Sequence, residues 1–169
     1  MKPNNRLLSL LLVLSLSMPA ISLALSTDKD QPMYLEADSV DIDDAKGVSI
    51  YEGNVVITQG STKLWADKIW VYRVDGETEK VFAIGKPVRF QQRMDDSDET
   101  ARGQALRTEY YARKDEIYLI GEALLEQGKD QFRSDRITYL RGKSQVKAGA
   151  SAEGKKRVRV VIEPKKDKP

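Results

Sequence analysis

Apolar and polar positions alternate along most of this chain, and the alternation itself repeats. Residues 51–73 (YEGNVVITQGSTKLWADKIWVYR) map without a gap onto residues 119–141 (LIGEALLEQGKDQFRSDRITYLR), 68 positions later. Gly53 falls on Gly121, Gln59 and Gly60 on Gln127 and Gly128, Asp67 on Asp135, Ile69 on Ile137 and Arg73 on Arg141. Val55, Ile57 and Leu64 fall on Ala123, Leu125 and Phe132; further back, Ala37 falls on Ala105 and Ile42 on Tyr110. Each copy reads as strand, Gln-Gly turn, strand, because a period of two marks a half-buried strand and glycine marks its reversal. Weaker traces are VFAIGKPVRFQQ (81–92) and QVKAGA (145–150), which place Gly85 and Gly149 in the same role as Gly53 and Gly121. A glycine at a fixed place in each period predicts a bend or bulge there. A strand-only repeat of a few tens of residues predicts stacked β coils, and the gapless register favours this over an ordinary sandwich.

The flanking segments follow the same pattern. Met33, Leu35 and Ala37 alternate with Tyr34, Glu36 and Asp38, and Val40 and Ile42 alternate with Asp41 and Asp43. Two half-buried strands with a bend between them are predicted there. Residues 45–47 and the pair Asp75-Gly76 are turns, and 94–100 (MDDSDET) is an acidic loop. Leu106, Thr108 and Tyr110 alternate on one strand face. The segment 157–162 (RVRVVI) is the last strand, with Val158, Val160 and Ile162 on one face and Pro164 as its stop. Helical periodicity is absent from the pattern, so the chain is all-β.

Composition adds an address. Lys2 and Arg6, the apolar run 7–16 and the small residues Ser22 and Ala24 read as a cleaved secretory signal peptide over 1–24. The run is too short to span a bilayer, which takes about 20 apolar residues. A single β domain is expected over 25–164, with a basic disordered tail over 165–169. There is no cysteine and no histidine among the 169 residues. Export without disulfides leaves sheet pairing and apolar burial to hold the fold. Lack of histidine removes the commonest transition-metal ligand and general base.

Charge is balanced but unevenly placed. Lys2 and Arg6 lie in the leader, which holds no acid; the other 26 basic residues balance 26 acids. Residues 28–44 carry seven acids against one lysine, whereas 143–169 carry nine basic residues against three acids. A stack of β coils is open at both ends, and unpaired edges recruit further strands. An acidic first edge (Glu36, Asp38, Asp41, Asp43) and a basic last edge (Arg157, Arg159, around Val160) favour head-to-tail pairing over head-to-head. Such a contact extends into a filament if it does not close. Zero net charge outside the leader argues against a nucleic-acid partner.

Strand parity sends Met33, Leu35, Ile42, Phe90, Tyr110, Phe132, Ile137 and Tyr139 to one face. They are either a plain core or the lining of an apolar trough. The acid pairs Asp41/Asp43 and Asp95/Asp96 would suit polysaccharide chemistry, but an outward strand face and an acidic loop read better as solvated surface. No phosphate-binding glycine motif is present.

Four stretches, QPMYLEADSVDIDD (31–44), YEGNVVITQGSTKLWADKI (51–69), IGKPVRF (84–90) and SDRITYL (134–140), resemble the LptA (OstA-like) family of periplasmic lipopolysaccharide-transport bridge proteins. The resemblance runs from Asp30 to about Pro164. It implies an open, twisted β-jellyroll of about sixteen short antiparallel strands, with no catalysis and no cofactor. It implies end-to-end stacking, the lipid A acyl chains of lipopolysaccharide inside and its sugars outside. The N-terminal edge would meet the inner-membrane Lpt complex, and the C-terminal edge the outer-membrane Lpt translocon. Carried over by position, lipid contacts fall on Met33, Leu35, Phe90 and Tyr110. A further lining position falls on Ala112, smaller than is usual there. The rival from another class is a β scaffold that joins envelope proteins without touching lipid.

Overall fold

The computed structural model describes residues 28–94, 99–143 and 145–164. The leader, the acid pair Asp95/Asp96 and the tail lie outside the described residues. Ten strands form one antiparallel sheet: β1 (Met33–Glu36), β2 (Ser39–Asp43), β3 (Val48–Gln59), β4 (Thr62–Val74), β5 (Glu77–Arg93), β6 (Thr100–Tyr111), β7 (Glu116–Gln127), β8 (Asp130–Leu140), β9 (Gln145–Ala148) and β10 (Arg159–Val161). Neighbours in sequence are neighbours in space from β3 to β8. Helical structure among the described residues is confined to three short 3-10 turns. The all-β expectation therefore holds, as an open sheet.

The turns explain the meander. Gln59 pairs with Thr62 across Gly60-Ser61, and Gln127 with Asp130 across Gly128-Lys129. Gly60 and Gly128 both take φ +58°, the positive value that the first central residue of a tight II′ hairpin turn needs. Val74 pairs with Glu77 across Asp75-Gly76, where both central residues have positive φ (53° and 81°), as in a I′ turn.

The six long strands β3–β8 are each bent once, and the bends align. Pairing registers break between Glu52 and Val55, between Trp65 and Lys68, between Ile84 and Val88, between Gln104 and Arg107, and between Ile120 and Ala123. Gly53 and Gly121 occupy the first and last of these breaks with φ +79° each, and Asn54 and Glu122 follow with φ 47° and 52°. The repeated marker glycine thus makes a repeated bulge. Gly85, followed by the cis Lys86-Pro87 peptide, fills the break in β5. The aligned breaks form a crease that folds the sheet into two layers. Six strands bent once plus four short ones account for about sixteen straight segments.

Side chains directly opposite in an antiparallel pair share a face. One inward row therefore runs through Leu35, Ile57, Leu64, Phe90, Gly103, Leu125, Phe132 and Val160. Its counterpart in the other layer runs through Ile42, Ser49, Val71, Val81, Tyr110, Ile117, Tyr139 and Val146. Two buried clusters result, and they follow the sequence repeat. The first holds Val55, Ile57, Ile69 and Val71; the second holds their partners 68 positions on, Ala123, Leu125, Ile137 and Tyr139. Leu64 and Tyr110 pack against both clusters and join them.

Two expectations are corrected. Leu106 does not share the face of Thr108 and Tyr110: it is 44% exposed at the crease, against Gly121, because the break in β6 resets the parity. The last strand is Arg159–Val161, shorter than 157–162, and it pairs only with β8. Arg157 and Val158 precede it and cross the bend of β8. The edges fall where the sequence put them: β1 and β2 pair only with β3, and β9 and β10 only with β8.

Candidate functional site

The two inward faces meet over a narrow cavity of about 60 Å3. Met33, Ile57, Leu64, Val81, Phe90, Tyr110 and Ile117 supply its apolar walls. Gln59, Thr62, Thr108 and Arg141 supply its polar groups. Three of the eight sequence-predicted lining residues, Met33, Phe90 and Tyr110, therefore come together around one space. Phe90 is 4% exposed and lies against Gly103, which has no side chain to displace it. Leu35 and Phe132 stand on the same row as Phe90, half-buried, nearer the two ends. Ile137 and Tyr139 are buried within the second cluster and do not reach the cavity.

Ile42 is the exception. It stands on the inward row but is 52% exposed. The reason is topological: β2 is an edge strand in one layer, and β1 pairs with the other half of β3. Val160 is the mirror case at the far end, 47% exposed on the row of Phe132. The apolar interior is thus closed in the middle and uncovered at both ends.

Tyr110 carries the main polar feature of the cavity wall. Its hydroxyl donates to Asp115 Oδ1 at 3.3 Å. Burial pushes its pKa up, the Arg141 charge opposes this in part, and the Asp115 carboxylate adds to the rise, so the phenol stays neutral. Arg141 Nε lies 3.4 Å from the same Asp115 oxygen, and the guanidinium sits 5.6 Å from the Tyr110 ring centre. Sequence reasoning missed Arg141, although it continues the inward parity of Ile137 and Tyr139. It also missed Gly103, Gln59 and Thr62.

The edge charges divide by role. Glu36 and Asp41 are exposed beside the N-terminal edge, and Arg157 and Arg159 beside the C-terminal one. Asp43 is occupied locally by Lys46, at 2.6 Å. Asp38 serves the crease: its backbone N–H donates to Gly53 O at 3.0 Å, and its carboxylate accepts from Asn54 Nδ2 at 2.9 Å. Asp135 does the same at the other end, accepting from the Lys155 N–H at 2.8 Å. The outward face of one layer is an aromatic and cationic belt, with Trp70 edge-on to Phe82 at 5.0 Å and Lys68 over Trp70 at 4.8 Å. No group of three or more acidic residues able to hold a metal occurs among the described residues.

Comparison with known proteins adds the family. Residues 34–145 match the family described as "LptA/(LptD N-terminal domain) LPS transport protein". The chain is 38% identical over 169 residues to lipopolysaccharide export system protein LptA of Escherichia coli K12, covering 97% of this chain and 90% of that protein. It is 32% identical over 153 residues to lipopolysaccharide export system protein LptH of Pseudomonas aeruginosa, covering 87% of each. The crystal structure of LptH, described as the LptA homologous periplasmic component of the conserved lipopolysaccharide transport device of that organism, matches with a TM-score of 0.75 at 30% identity. That match covers 82% of this chain and 100% of the LptH chain. With its bent strands, paired layers and these matches over most of its length, the chain belongs to the LptA/LptD N-terminal-domain family of lipopolysaccharide transport proteins.

Proposed function

We propose that this protein is a periplasmic bridge segment that carries lipopolysaccharide from the inner to the outer membrane. The observation that carries the reading is the pair of inward rows. They cross the sheet without a charged residue and end uncovered at Ile42 and Val160. Eight strands spaced about 4.8 Å apart make a path of roughly 34 Å. Acyl chains lying along it would leave water at about 25 cal/mol per Å2 of apolar surface. The lining repeats with the sequence, so it offers no single deep trap along the way.

The cavity of about 60 Å3 is a closed state. Among the described residues the sheet joins the two layers through the crease, so lipid enters by parting the opposite, turn-bearing rims. Movement is driven from elsewhere, since the chain has no phosphate-binding glycine motif and its role is not catalytic. The leader, residues 1–24, directs export, and its removal releases the domain into the periplasm.

Copies stack head to tail. The free edges of β9 and β10 take the free edges of β2 and β1 of the next copy, layer to layer. Glu36 and Asp41 face Arg157 and Arg159 across the joint, and Val160 extends the apolar row into the neighbour. The same N-terminal edge meets the inner-membrane Lpt complex, and the C-terminal edge the outer-membrane translocon.

Site-specific photo-crosslinking tests the path. Probes at Phe90 and Tyr110 should give lipopolysaccharide adducts, and outward probes at Arg107 and Glu109 should not. A folded protein that gives adducts at none of the four would be a scaffold with an ordinary core.

A further inference from the structure

Arg141 is the one cation lining the apolar cavity among the described residues. Its side chain is only 14% exposed. It leaves the end of β8 on the inward side, at the rim opposite the crease, where its backbone N–H donates to Asp115 O at 3.0 Å. The face of Tyr110 supports the guanidinium at 5.6 Å. A buried arginine normally has its planar fork matched by acceptors. Here Nε is left unmatched: its contact with Asp115 Oδ1 is a single 3.4 Å approach, it has no hydrogen-bond partner among the described residues, and the Asp28 carboxylate acts on the guanidinium by charge. Asp115 is itself shared, because it also accepts from Tyr110. The guanidinium therefore sits at the mouth of an apolar space with donor capacity unspent.

An amphiphile whose chains fill that space places its head group at the same mouth. We infer that Arg141 binds the oxyanion of that head group, a lipid phosphate, by bidentate donation while Tyr110 and Phe90 hold the adjoining chain. The inference rests on the lipid path proposed above and adds to it the group that reads the head. Charge and geometry both select phosphate over a neutral sugar hydroxyl: the fork offers paired donors and no acceptor. On lipid entry Asp115 stays with the Tyr110 hydroxyl, and the phosphate replaces it at the guanidinium.

The test is equilibrium binding of the full-length mature protein to lipid A and to the same lipid A stripped of phosphate. Arg141→Met should bind phosphorylated lipid about tenfold more weakly, the effect of one charge-assisted hydrogen bond, and stripped lipid as the wild type does. Arg141→Lys, which keeps the charge and loses the fork, should fall between. Asp115→Asn should bind phosphorylated lipid more tightly, a gain that loss of folding cannot imitate. Equal binding of both lipids by wild type and Arg141→Met, in proteins that melt alike, overturns the inference and leaves the lipid path standing. Wild-type protein that binds neither lipid, and gives no adduct from Phe90, overturns the path and the inference together.

Discussion

The ring of Phe90 lies so close over Gly103 that a β-carbon at position 103 would fall inside it. The two residues pair directly across β5 and β6, and the ring takes the space that any other residue would fill. The centre of the apolar interior therefore depends on an absent side chain as much as on a large one.

Gly103→Ala should displace the Phe90 ring and overpack the interior, costing about 1–3 kcal/mol. Denaturant unfolding would show it as a lower midpoint with an unchanged slope. An unshifted midpoint would mean that the ring turns aside freely and that the row is loosely packed.

The crease glycines should be dearer than the turn glycine. Gly53, Gly121 and Gly76 all have φ near +80°. A β-carbon on Gly53 would strike the Asp38 side chain, and one on Gly121 would stand 3.2 Å from Leu106, while Gly76 has open space around it. Alanine at Gly76 should cost only the left-handed strain, about 1 kcal/mol. At Gly53 it should cost more, because the Asp38 contact that ties the β1–β2 link to the bulge of β3 must give way as well. Thermal melting of the two variants, compared side by side, decides the order.

Asp28 gives the acid limb of stability a specific source. Partial burial by itself would raise its pKa. Hydrogen bonds from the Ser61 N–H (2.8 Å), the Ser61 hydroxyl (2.7 Å) and the Thr62 hydroxyl (2.9 Å) more than offset this, and the pKa lies below its ordinary 3.8. A depressed carboxylate stabilises the fold fully above its unfolded pKa, and that contribution is lost as pH falls through the folded value. The loss therefore begins below about pH 4. Asp28→Ala should lower stability near neutral pH by about 1 kcal/mol, since the group is partly in water. It should also flatten the decline below about pH 4. An acid limb unchanged by the substitution would place the titration on other carboxylates.

Self-association should respond to the C-terminal edge. Val160→Asp places a charge on an exposed position of the inward row, and Arg159→Glu reverses a charge on the outward face of the same strand. Both should shift the protein toward monomer in sedimentation velocity, Val160→Asp irrespective of salt and Arg159→Glu most at low ionic strength. Association untouched by either variant would mean that the joint lies elsewhere.

Much of this architecture was legible in the sequence. Alternation located the strands, the turn glycines located the reversals, and the gapless repeat of 68 positions anticipated both the paired bulges at Gly53 and Gly121 and the paired core clusters. These are local properties: alternation follows from the pleat, and positive φ from the missing β-carbon. Only the tertiary structure decided which of the predicted lining residues share a space. Parity counts along a strand, and each bulge resets the count, so Leu106 left the face of Tyr110. Whether an inward residue is covered depends on the opposite layer, so Ile42 ended exposed while Ile137, with a similar pattern around it, is fully buried. Arg141 became part of the cavity for the same reason: a charge at a strand end reads as solvated surface until the fold closes a second layer over it.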